Sequence, residues 1–118
     1  MRVIERGGGM ASDKILKVTE ENFHKSVEKG LVLVDITADW CGPCRMLAPV
    51  LDRVAKDVEG KAIIGKLDID QAQRIATQLQ VTSVPTMILF KEGKEVGRMV
   101  GLKDEEAIKG FILKEGRA

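Results

Sequence analysis

The stretch Leu31-Val32-Leu33-Val34-Asp35-Ile36 constrains this chain more than any other. A strand with one wet face alternates apolar and polar side chains, whereas a strand buried on both faces runs apolar without interruption. This run is rich in β-branched residues and has the length of a strand. It therefore predicts a central strand covered on both sides. A chain of 118 residues buries one ordinary core, so the covering layers come from its own helices. Asp35 breaks the apolar run, and a carboxylate buried there is costly unless it is neutral or paired.

The flanking segments supply the rest of the sheet and its cover. Lys14–Val18 reads as a first strand. Thr19, a good N-cap followed by acids, and Gly30, a good stop, bracket a helix. Met46, Val50 and Val54, flanked by Leu47, Leu51 and Val58, make an amphipathic helix over about Gly42 to Val58, kinked by Pro49. Ala62–Ile69 is the next strand. Asp70 caps a short helix through about Leu79. Thr86–Phe90 and Glu95–Val100 flank a turn that suits Gly93, and Asp104 caps a last helix with Ile108, Phe111 and Ile112 on its apolar face. The order β-α-β-α-β-α-β-β-α predicts an α/β fold, a central mixed five-stranded sheet flanked by four helices. The strands joined through helices are parallel and the final hairpin is antiparallel.

Residues 1–12, with Gly7, Gly8 and Gly9, read as a flexible N-terminal extension, and residues 13–118 as one domain. Arg2 and Arg6 are followed by no apolar segment of the secretory kind. A net charge of +1 offers no electrostatic case for nucleic acid or a membrane surface, and no apolar run reaches the roughly 20 residues of a bilayer span.

Both cysteines of the chain, Cys41 and Cys44, lie in Trp40-Cys41-Gly42-Pro43-Cys44. Structural zinc takes four ligands, and the chain adds only His24 to these two thiols, so a zinc site lacks its ligand set. A structural disulfide across so short a loop would restrict the unfolded chain very little. The redox reading has a physical basis. Cys41 sits where a strand gives way to a helix, and the unpaired N–H groups and dipole of a helix N-terminus stabilise a thiolate. Cys41 is then the nucleophile that attacks a target disulfide, and Cys44, in the first turn, resolves the mixed disulfide. Pro43 is tolerated because its missing N–H would have no helical partner, and Gly42 lets a substrate backbone approach.

The motif Trp40–Cys44 resembles the active site of the thioredoxin family, and the similarity extends over about residues 13–115. Asp35 stands where the family has a buried aspartate, Pro49 matches its helix-kinking proline, and Ser83-Val84-Pro85-Thr86 resembles its cis-proline loop. The resemblance implies the thioredoxin fold. It implies Asp35 as general base for Cys44, with Lys66 tuning it, and a cis Val84–Pro85 bond that leaves the Val84 backbone free to pair with substrate. A substrate patch of Trp40, Gly42, Pro43, Val84, Pro85, Thr86, Gly101 and Leu102 follows. So does a cytoplasmic, monomeric protein-disulfide reductase with no bound cofactor, reduced by a thioredoxin reductase that draws on NADPH or ferredoxin. An oxidising interchange domain and a thioredoxin-fold binding module are the alternatives. Two positions depart from the family pattern. Thr37 stands where a tryptophan is usual, and Gln80 where a glycine is usual.

Overall fold

In the computed structural model, which describes residues 14–117, the elements follow the predicted order: β1 (Ile15–Val18), α1 (Phe23–Val27), β2 (Leu31–Thr37), α2 (Gly42–Asp57), β3 (Ile63–Asp68), α3 (Gln73–Gln78), β4 (Thr86–Lys91), β5 (Lys94–Val100) and α4 (Glu105–Arg117). The extension assigned to residues 1–12 lies outside the described residues. The sheet order is β1-β3-β2-β4-β5. β3 pairs in parallel with both β1 and β2, and the β4–β5 hairpin is antiparallel as expected. β4, although joined to β3 through α3, runs antiparallel to β2, against the expectation that strands joined through helices are parallel; it enters the sheet on the far side of β2 from β3 and in the opposite direction. β2 is thus the middle of the sheet, as its apolar run demands. Residues 32 to 36 are all buried.

Alternation along β2 divides the core in two. Val32, Val34 and Ile36 pack with Phe23, Val27, Ile75, Ile88 and Phe90 on the side of α1 and α3. Leu33 packs with Leu47, Leu51, Ile64, Leu89, Ile108 and Ile112 on the side of α2 and α4. Each fully buried side chain of this size contributes about 1.5–3 kcal/mol over leaving it exposed.

Several turns and helix ends follow local signals. Glu92 and Gly93 carry φ of 50° and 86°, the conformation of a two-residue hairpin turn. Asp104 Oδ1 accepts from the Ala107 N–H at 2.8 Å, capping α4. Gln80 adopts φ 57° just past α3. Its N–H reaches Thr77 O and that of Val81 reaches Ala76 O, both at 3.0 Å, the paired bonds that end a helix with a left-handed residue.

Thr19 caps the α1 segment as expected: its Oγ1 accepts from the Asn22 N–H at 3.1 Å and Asn22 Oδ1 accepts from the Thr19 N–H at 2.7 Å, a reciprocal capping pair, with the regular helix beginning at Phe23. Two other expectations fail for tertiary reasons. Met46 is not on the buried stripe of α2. It is 62% exposed, and Cys44, Leu47, Leu51, Val54 and Ala55 form that stripe instead. Asp70 does not cap α3, which starts at Gln73 with Ala72 at its cap position and no side-chain cap bond.

Candidate active site

The end of β2 and the start of α2 place the two cysteines. Cys41, extended at φ −96° and ψ 113°, is the N-cap of α2, and Pro43 lies in the first turn. The Cys44 N–H points at Cys41 Sγ, 3.2 Å away. The two residues form a disulfide with Cα atoms 5.2 Å apart. Both are buried, and they pack with Ala38, Ile69 and Val84. A sulfur that carries negative charge at Cys41 would therefore meet a backbone donor and the positive end of a 16-residue helix.

Across from Cys41 lies the loop before β4. The Val84–Pro85 peptide is cis, and the Val84 carbonyl oxygen lies 3.8 Å from Cys41 Sγ. The Gly101 N–H donates to Pro85 O at 2.8 Å, tying the end of β5 to the same loop. Thr86 is buried, with its hydroxyl donating to Ser83 O at 2.7 Å, so its side chain shapes the loop from within. Around this centre Trp40 and Leu102 are exposed, 67% and 44%, as is Pro43, while Gly42, Val84 and Gly101 are half-buried.

Asp35 lies in β2, two residues before Thr37 at the strand's end, and by alternation shares the α2 side of the strand with Leu33. It is fully buried, and neither carboxyl oxygen has a hydrogen-bond partner among the described residues. Lys66 is its register partner on β3. Burial pushes the Asp35 carboxyl up to about 7, and the charge of Lys66 pulls it part of the way back. A structural carboxyl is ordinarily bonded to backbone; this one is not. Lys66, Thr37, Cys44 and Asp68 line a cavity of about 720 Å³ between α2 and the β1–β3 edge.

Two residues at the site escaped the sequence reading. Asp70 Oδ2 accepts from Trp40 Nε1 at 2.8 Å, and Arg45 Nη1 donates to Asp39 O at 2.7 Å. Asp70 carried a helix-cap signal, and Arg45 carried none beyond its place next to Cys44.

Comparison with known proteins agrees with this geometry. The thioredoxin family model matches residues 14–114. A thioredoxin of Chlamydia trachomatis serovar D is 52% identical over 97 residues, 82% of this chain and 94% of the relative. A thioredoxin of Staphylococcus saprophyticus is 46% identical over 100 residues, 85% and 96% of the two chains. Among solved structures, a mutant thioredoxin from Halobacterium salinarum superposes with a TM-score of 0.80 at 37% identity, covering 92% of this chain and 96% of that one.

Proposed function

The chain belongs to the thioredoxin family and is a thiol–disulfide oxidoreductase, and from that premise we propose how its residues divide the work. Cys41 attacks a protein disulfide. A sulfur–sulfur bond forms between Cys41 and the target, and the second target sulfur leaves as a thiolate that takes a proton. Cys44 then attacks Cys41 Sγ, the mixed disulfide breaks, and the target departs as a dithiol while the Cys41–Cys44 disulfide forms. Asp35 accepts the Cys44 proton, directly or through water, because a buried carboxyl that titrates near 7 matches the working pH of a general base. Burial raises that value, and Lys66 on the neighbouring strand lowers it part of the way.

The observation that carries this reading is the Cys41–Cys44 disulfide at the N-terminus of α2, following a strand that buries the Asp35 carboxyl with no partner among the described residues. Substrate segments lie in extended form against the Val84 backbone, between Trp40, Gly42 and Pro43 on one side and Gly101 and Leu102 on the other, with Pro85 and Thr86 fixing the loop. Members of this family work between a reductase and disulfide-bearing proteins. For this chain the donor is a thioredoxin reductase drawing on NADPH or ferredoxin, with no cofactor bound to the chain itself and the monomer as the working unit. No helix among the described residues is long and apolar enough to cross a membrane, and a reducing dithiol functions where thiols are kept reduced, in the cytoplasm. The test is reduction of insulin disulfides with dithiothreitol as donor, followed by equilibration with glutathione. A reductase accelerates insulin reduction and settles at a strongly reducing potential. A binding module leaves the insulin rate at background, and an oxidising interchange domain settles at an oxidising potential.

A further inference from the structure

We propose that Arg45 is a positioning residue for this reaction, because it locks the turn Ala38–Cys41 that presents both Trp40 and the attacking sulfur. The turn is closed by the Cys41 N–H on Ala38 O at 3.2 Å. Arg45 grips it twice from the helix. Its backbone N–H donates to Cys41 O at 3.2 Å, and its guanidinium reaches back to Asp39 O at 2.7 Å. The second bond is charge-assisted and short, and it holds a carbonyl in the middle of the turn. On the far side Asp70 Oδ2 holds the Trp40 indole N–H at 2.8 Å, and Asp70 is itself oriented by its N–H on Asp68 Oδ1 at 2.8 Å.

Trp40 is 67% exposed, so packing does little to fix it. Its place is set by polar bonds at the two ends of the turn. Such a clamp matters when a folded partner must dock beside Trp40 and bring its disulfide in line with Cys41. Orientation lost there raises the cost of docking more than that of the chemical step. The expected signature is therefore a change in KM with little change in kcat.

The inference rests on the reading of Cys41 and Trp40 as the substrate face, yet it can fail separately. Trp40 is the only tryptophan in the chain, so fluorescence anisotropy decay reports the turn directly, in the absence of any substrate. Arg45→Met should give Trp40 faster local motion and raise the KM for insulin about five-fold, the scale of one lost hydrogen bond. Arg45→Lys, which keeps a long donor, should recover part of both. The KM ratio should persist from low to high salt, because a bond to a backbone carbonyl is not an interaction between mobile surface charges. Unchanged anisotropy in Arg45→Met overturns the clamp whatever the kinetics. A KM effect that vanishes at high salt overturns it too, since the guanidinium would then act only as a charge near the site. If Cys41→Ser retained insulin reduction, the reading of the substrate face would fall, while the anisotropy result would still decide the turn.

Discussion

The two faces of the central sheet are built from the same strand and serve different ends. On the α1–α3 side, β2 contributes Val32, Val34 and Ile36 to an all-apolar layer with Phe23, Ile75, Ile88 and Phe90. On the α2–α4 side, it contributes Leu33, then Asp35, then Thr37 beside the cavity that reaches Cys44. The first face is an ordinary core, and every residue in it favours the folded state. The second accepts a carboxyl with no hydrogen-bond partner among the described residues. A strand of period two allows this, because alternate residues answer to different neighbours.

Breaking the reactive face at its centre should have the largest effect. Cys41→Ser should reduce insulin turnover to background, and Cys44→Ser should leave the attack intact and accumulate mixed disulfides, visible as higher-mass bands on non-reducing gels. Equal trapping by both variants would remove Cys41 from its role as sole attacking thiol.

Asp35→Asn sharpens the contrast next, because it should improve the fold while harming the reaction. The folded carboxyl titrates near 7 and the unfolded one near 3.8. Below the lower value both states are protonated and Asp35 costs nothing. As pH rises from about 4 to 7 the unfolded chain ionises first and stability falls. Above 7 the loss is complete, on the order of 4 kcal/mol for a shift of this size. Denaturant unfolding of the oxidised protein should therefore show Asp35→Asn gaining up to that amount at pH 8 and little at pH 4. Breakdown of a preformed mixed disulfide should slow on the order of 10²-fold near neutral pH. A wild-type rate and pH profile for that step would make Asp35 a structural carboxyl and leave water as the base.

On the other face the same experiments should give the opposite pattern. Ile88→Ala, in the all-apolar layer, should destabilise by about 3 kcal/mol through lost burial and a residual cavity. Its ΔΔG should not depend on pH, and kcat should stay near wild type in the folded protein. A pH-dependent ΔΔG at Ile88 would mean that the two layers are coupled. The smallest effect lies outside both layers. Gln80→Gly relieves a left-handed residue at the end of α3 and should add about 1 kcal/mol of stability, read from chemical denaturation, with no change in rate.

Much of this was legible from short-range signals. Element order follows from periodicity and from stop, turn and cap residues such as Gly30, Gly93 and Asp104, which act on their own neighbours in the chain. The cysteine pair and its place at a helix N-terminus follow from three residues of spacing, and the cis bond at Pro85 from resemblance. The misreadings share one cause. Met46 fits a helical stripe, and only the direction from which β3 and α4 meet α2 decides that Leu47 faces inward in its place. Asp70 is a good cap in isolation, but it spends its side chain elsewhere, on Trp40.

The sequence alone determined that the chain makes a covered, mixed sheet and carries a thiol pair poised for exchange, because periodicity, caps and motif spacing are properties of neighbours along the chain. It also marked Asp35 as a charge in the wrong place. Only the tertiary structure decided that no donor among the described residues reaches that carboxyl, that Lys66 lies across from it, and that Arg45 and Asp70 bond Asp39 O and the Trp40 indole. Those are relations between strands and loops brought together by packing. Hydrogen bonds and desolvation depend on distances of a few ångströms, which no spacing along the chain specifies.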